Sequence, residues 1–259
     1  MKKFYKIFGI ITGALLLCGI CLMSVGFVSG ADKHIKVFDF IEVNYGAEDA
    51  EVMTYTSTKT FESINVDLKM CDLEIVQGDV FEVEYMTYAD KIKIDISDDT
   101  LYIRETGNGF NFSFDFSWLF GRTKTYVKVT LPEDEYNNIT VSSNMGDVKI
   151  MGIQLERLNA DLDMGDASFE GTATEKIDID NSMGDVTIEG YLECSVYVDC
   201  NMGDATVTTY YNEDSYRVYA DTDMGNEYFH REGGLKSEDR YTMDIQCDMG
   251  DIEINFVNP

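Results

Sequence analysis

From residue 136 onward, apolar residues fall into columns that repeat along the chain. The repeat is marked by Met-Gly-Asp at 145–147, 164–166, 183–185, 202–204 and 249–251, with Met-Gly-Asn at 224–226. Six residues before each Met lie Ile139, Leu158, Ile177, Val196, Val218 and Met243, and four before lie Val141, Ala160, Ile179, Val198, Ala220 and Ile245. Three after lie Val148, Ala167, Val186, Ala205 and Ile252, with Glu227 as the exception. Five after lie Ile150, Phe169, Ile188, Val207, Phe229 and Ile254. Polar residues separate the columns, so the period is two and the segments read as strands with one buried face. Their β-branched content agrees.

The Met residues at 145, 164, 183 and 202 are each 19 residues apart, and the next two steps lengthen to 22 and 25. A fixed period near 20 means that one structural unit is stacked on copies of itself. A lone strand–turn–strand unit cannot bury its apolar face, whereas stacked units do so at about 4.8 Å per copy. The fold class expected is all-β: a right-handed parallel β-solenoid over 136–259, with an antiparallel sandwich as the competing arrangement. Gly146, Gly165, Gly184, Gly203, Gly225 and Gly250 are expected to supply positive φ at a corner. The Asp that follows each is expected to bond its own turn backbone. Extending the alternation places Met145, Met164, Met183, Met202 and Met249 in register on the inside of that corner. An earlier degenerate copy runs through Ile64, Val66, Leu68, Met70, Leu73 and Ile75, with Met70-Cys71-Asp72 in place of the triplet. The interval 55–135 then forms an irregular β portion that caps the stack.

The front of the chain adds a location. Lys2, Lys3 and Lys6 precede an uncharged apolar run from Ile7 to about Val28. At 1.5 Å per residue, a helix of that length spans about 33 Å, enough for a bilayer core of roughly 30 Å. Residues 1–30 are expected to be one transmembrane anchor with its N-terminus in the cytoplasm and the remainder extracytoplasmic. A cleaved signal peptide ending near Val28-Ser29-Gly30 is the alternative. Residues 31–54 have little periodicity and read as a tether, with Ile35–Val43 open to a short strand or helix. The net charge of −28 disfavours nucleic acid and anionic lipid as partners. Cys71, Cys194, Cys200 and Cys247 show no zinc-type spacing. Cys200 and Cys247 share the column of Leu162 and are expected to face inward as small apolar residues.

Candidate chemistry is sparse. The column Asp147, Asp166, Asp185, Asp204 and Asp251 is either a set of structural turn residues or a cation ladder. Repulsion between carboxylates about 5 Å apart is roughly 0.8 kcal/mol at water's dielectric. A charge-assisted bond to a turn amide returns about 1.5–3 kcal/mol. The turn role therefore sustains the column without metal. A second acidic column, Asp161, Asp180, Asp199 and Asp221, is expected on the outer face. No nucleophile–base set, phosphate loop or metal motif stands out, so neither an enzyme nor a cofactor is expected, and a polysaccharide-acting enzyme is the remote alternative. Phe110, Phe112, Phe114, Phe116, Trp118 and Phe120 alternate, so on one strand they share a face. That face either covers the solenoid or contacts a partner, itself, or a membrane surface.

The Lys-led anchor, the irregular strands ending in Val-Thr-Leu-Pro at 129–132, and the Gly-Asp-bearing repeats resemble the bacterial putative-adhesin family. The resemblance spans roughly 55–257. It implies a right-handed β-helix, anchored in a membrane or exported, with a role at the cell envelope. The function expected is a non-catalytic, extracytoplasmic interaction module with a protein or glycan partner. A cation-responsive envelope sensor or scaffold is the alternative.

Overall fold

The structure is a computed structural model that describes residues 34–36, 41–44, 52–86, 92–106, 112–115, 125–230 and 240–257. In chain order its strands are β1 His34–Lys36, β2 Ile41–Asn44, β3 Val52–Thr56, β4 Ser63–Leu68, β5 Asp72–Gln77, β6 Glu82–Met86, β7 Ile92–Ser97, β8 Thr100–Glu105, β9 Phe112–Asp115 and β10 Tyr126–Leu131. They continue as β11 Glu135–Ser143, β12 Val148–Leu162, β13 Ala167–Asn181, β14 Val186–Leu192, β15 Ser195–Met202, β16 Ala205–Thr209, β17 Tyr216–Met224, β18 Glu227–His230, β19 Tyr241–Met249 and β20 Ile252–Phe256. The apolar run 7–28 lies outside the described residues. Among the described residues no helix is long and apolar enough to cross a membrane.

The 19-residue period becomes parallel pairing. Residue 148 pairs with 167, 167 with 186, and 186 with 205. On the other side of the corner, residue 158 pairs with 177 and 177 with 196. The chain is therefore an all-β, solenoid-like stack of coils rather than a sandwich. The four apolar columns point into one continuous core, except at the Met-Gly-Asn coil, where Phe229 is exposed. Phe169, the largest fully buried side chain, shares its coil with the small inward residues Ala160, Ala167 and Ala173, so volume is conserved from coil to coil.

The degenerate copy is a true first coil. Ile64, Val66 and Leu68 pair with Ile139, Val141 and Ser143, and Leu73 and Ile75 pair with Val148 and Ile150. The strands around it leave the coil pattern. β10 lies parallel to β5 and antiparallel to β6, β3 lies antiparallel to β6, and a β7–β8 hairpin extends the stack beyond β4. That hairpin turns on Asp98 and Asp99 at φ 50° and 55°, the paired positive φ of a type I′ turn. Phe61 packs edge-on against Phe81 at 4.9 Å and beside Tyr136 at 6.2 Å.

The last two coils are not stacked in chain order. β15 pairs with β19, and β19 pairs on its other side with β17; likewise β16 pairs with β20 and β20 with β18. The C-terminal coil is thus inserted between the fourth Met-Gly-Asp coil and the Met-Gly-Asn coil. The longer steps of 22 and 25 residues reflect this: the chain climbs two layers and then returns one. A short 3-10 turn, Glu213–Ser215, capped by Asn212, lies in the first climb. Beneath it Tyr216 is buried against Tyr241 and Phe256 at 5.8 and 5.7 Å, and its hydroxyl donates to the Leu192 carbonyl.

Residues 1–48 and 108–123 group as a separate compact unit. Its described part is a three-stranded sheet in the order β1-β2-β9, with Ile41 opposite Phe112 and Val43 opposite Phe114. The interval read as a tether contains strands β1 and β2, and β3 begins at Val52. Of the aromatic alternation, Phe112 and Phe114 lie in β9, which pairs with β2. Phe110, Phe116, Trp118 and Phe120 lie outside the described residues.

Candidate functional site: the Met-Gly-Asp corner

The corner carries the most regular surface of the described chain. Backbone bonds fix it coil by coil: the Gly146, Gly165, Gly184 and Gly203 amides donate to the carbonyls of Met164, Met183, Met202 and Met249 at 2.9–3.0 Å, and Gly250 donates to Met224 at 3.1 Å. A Cβ on Gly165, Gly184 or Gly203 would stand 2.1–2.2 Å from the carbonyl oxygen of the glycine one coil earlier. Five of the six corner glycines have φ between +134° and +153°. Gly225 does not share the positive φ, but a Cβ there would meet the Gly250 oxygen at 1.9 Å. Close approach, as much as dihedral freedom, makes this column glycine.

The aspartates do not bond their own turns. Each carboxylate accepts the backbone amide of the next coil's aspartate. Asp72 Oδ1 accepts from the Asp147 amide at 3.1 Å, Asp147 from Asp166 at 3.1 Å, and Asp166 from Asp185 at 2.9 Å. Asp185 accepts from Asp204 at 2.9 Å and Asp204 from Asp251 at 2.8 Å. Asp251 then accepts both the backbone amide of Asn226 at 2.8 Å and its side-chain Nδ2 at 3.1 Å. The ladder runs in spatial order, so Asn226 stands at its end. The departure from Met-Gly-Asp there is chemical: a side-chain donor stands against the last carboxylate. Among the described residues, no group of three or more His, Cys, Asp or Glu side chains is arranged to hold a metal ion.

The methionines are in register but outside. Met70, Met145, Met164, Met183, Met202, Met249 and Met224 are each between 36% and 63% exposed. The alternation that buries residues 139, 141 and 143 stops when β11 ends at Ser143, and the turn rotates the next side chains outward. Period two does not carry through the corner. The inward position two residues before each Met is held by Ser143, Leu162, Asn181, Cys200, Cys247 and Thr222. It is more polar than an apolar reading of the cysteines implies. Asn181 Nδ2 donates to the Gly165 and Gly184 carbonyls at 3.1 and 3.0 Å, the Cys200 thiol lies 3.5 Å from the Gly184 and Gly203 carbonyls, and Thr222 donates to Gly250 at 3.0 Å. These side chains serve corner carbonyls left over by the turn.

All four described cysteines are buried and unbridged. Cys200 and Cys247 are direct neighbours across β15 and β19. Their mutual hydrogen bond, then burial, raises Cys200, and the same bond lowers Cys247. Cys71 replaces glycine in the first coil. Burial, then the Glu105 carboxylate, pushes its thiol up to about 12, and Glu105 also accepts the Lys69 and Met70 amides at 2.8 and 3.0 Å. On the outer face, Asp161, Asp180 and Asp199 form a direct cross-strand row, whereas Gln246 separates Asp199 from Asp221. Partial desolvation, then the charges of Asp199, Asp161 and Asp178, raise Asp180.

A parallel stack with a glycine–aspartate corner and an irregular, partly antiparallel opening portion defines the class. The chain belongs to the Toastrack DUF4097 family, whose profile matches residues 61–258. Among solved structures, it is similar to a putative cell adhesion protein from Clostridium sporogenes, at TM-score 0.52 and 16% identity over 81% of this chain and 100% of that one. It also aligns with a putative adhesin from Bacteroides fragilis at TM-score 0.48, 16% identity, and 80% and 98% coverage. No curated protein matches the chain significantly.

Proposed function

We propose that this chain is a non-catalytic interaction module displayed at the bacterial cell envelope. The carrying observation is the corner itself. One exposed pair of side chains, Met and Asp, is presented at a fixed spacing along a rigid parallel stack, which suits repeated contact with a protein or glycan rather than turnover at one centre. The adhesion role in the name of the Clostridium sporogenes relative supports the same reading. In it, residues 1–30 form a single N-in membrane anchor, the coils wind right-handed, and the alternating aromatics from Phe110 to Phe120 offer a second contact. Cross-linking on intact cells, followed by recovery of the full chain, tests this. A specific surface protein or glycan should be recovered, and Met145→Ser with Met183→Ser should reduce it. Recovery of nothing above background, together with cleavage of an acidic glycan, would replace the reading with an enzymatic one. A cation-responsive scaffold is the second reading, favoured by the raised pKa of Asp180 within its acidic row; calcium-dependent melting would support it.

A further inference from the structure

We propose that the exposed methionine ladder is a binding site for soft monovalent cations of the Cu(I) and Ag(I) class, charge-compensated by the adjacent aspartate ladder. Packing gives no reason for methionine at these positions. The side chains point away from the core, on a corner whose neighbouring positions are Asn144, Asp163, Ser182, Asn201 and Asp248. The geometry supplies what a soft-ion site needs. The glycine-to-methionine backbone bonds fix successive Met Cα atoms at the strand spacing of about 4.8 Å. A methionine side chain has three rotatable bonds and a polarizable sulfur. Two or three neighbouring thioethers can therefore close on one ion.

The chemistry selects the ion. Thioethers favour Cu(I)-type ions, while Mg, Ca and Mn prefer oxygen. A neutral thioether cannot offset the ion's charge. Two residues beyond Met145, Met164, Met183 and Met202, on the same exposed corner, stands an aspartate whose Oδ1 is tied to the neighbouring coil, so a row of fixed negative charge runs beside the sulfurs. The chain's net charge of −28 concentrates cations at the surface as a whole. The ladder repeats, so several ions bind per chain rather than one.

Ag(I), which needs no reductant, is the probe. It is titrated into the full chain carrying 13C at the methionine methyls. The methyl resonances of Met145, Met164, Met183, Met202 and Met249 are expected to shift, while that of Met243, buried in the core, stays in place. Ca(II) should leave all of them unmoved. Replacing Met164, Met183 and Met202 together by Leu keeps apolar volume and removes the sulfur. This variant should melt as the parent does and bind Ag(I) at least tenfold more weakly. Silver uptake with unmoved ladder methyls would assign the ion to the buried thiols and overturn the proposal. So would undiminished binding by the folded Leu variant, which would leave the stripe as an apolar contact surface. The methyl shifts of the parent decide the question even if the variant fails to fold.

Discussion

Gly184→Ala is the substitution that most directly tests how the corner is built. Gly184 has φ +134°, and a Cβ there would stand 2.1 Å from the Gly165 carbonyl oxygen and 2.6 Å from its carbon. The obstruction is backbone, not a side chain that can rotate away. To accommodate one carbon, the two coils must separate by about 1 Å, since ordinary contact begins near 3.4 Å. The bonds that cross that gap include the Gly165 amide to Met183, the Ala167 amide to Asp185, and the Asp185 amide to Asp166 Oδ1, each at 2.9 Å. The strained dihedral costs roughly 1–3 kcal/mol. Loss of one neutral bond costs about 1 kcal/mol, and weakening the charge-assisted one adds about 1–2 kcal/mol. The sum, roughly 3–6 kcal/mol, is a large part of a typical domain's 5–15 kcal/mol.

The clash begins at Cβ itself, so Gly184→Val should cost little more than Gly184→Ala. Thr187→Val, on an exposed position of β14, is the control and should stay within about 0.5 kcal/mol. Urea unfolding followed by circular dichroism gives all three midpoints. An unchanged midpoint for Gly184→Ala would refute the close-packed corner. A harmless Ala beside a damaging Val would show that only side-chain bulk matters there.

Other outcomes follow from the same geometry. Asn226→Asp places a carboxylate against Asp251 and removes the Nδ2 donor; amide exchange over 216–230 should quicken, corresponding to about 1 kcal/mol, while the core strands β13 and β14 keep their protection. Asp180→Asn should raise the melting temperature slightly at neutral pH. The folded pKa of Asp180 lies above its unfolded value, so the charged form is disfavoured in the native state at high pH; that penalty disappears as pH falls through the raised pKa, and below the ordinary carboxylate range the variant and parent should melt alike. N-terminal sequencing of the membrane fraction should find the chain uncleaved; a start near Ala31 would make the leading segment a signal peptide.

The core was legible because period-2 columns report burial directly. Ile139, Leu158 and Ile177 occupy the inward sites that their spacing assigns, and the first coil was readable even without glycine at Cys71. What failed did so at places where local periodicity carries no information. The methionines continue the inward phase by count, yet the turn after Ser143 reverses them. The aspartates share a column, but only three dimensions show that each reaches the next coil's amide. Short-range turn chemistry predicts an Asx turn equally well.

The order of the last coils is the deeper case. Repetition in sequence suggests stacking in sequence, and nothing local forbids it. Yet two signals at 202–251 point the other way once the ladder is understood. The steps lengthen where a layer must be skipped, and the one Asn in the aspartate column falls in the penultimate repeat rather than the last. An aspartate ladder requires a further amide beyond every carboxylate, so the member that departs from Asp marks the edge of the stack. The burial agrees: β19 and β20 alternate fully buried residues, while every residue of β18 is exposed. The C-terminal coil is therefore interior and the Met-Gly-Asn coil exterior. The exterior coil finds its partner strands only in the C-terminal coil, β17 on β19 and β18 on β20, while β19 and β20 are paired on both sides. The edge of this array is thus made by residues that are not last in the chain.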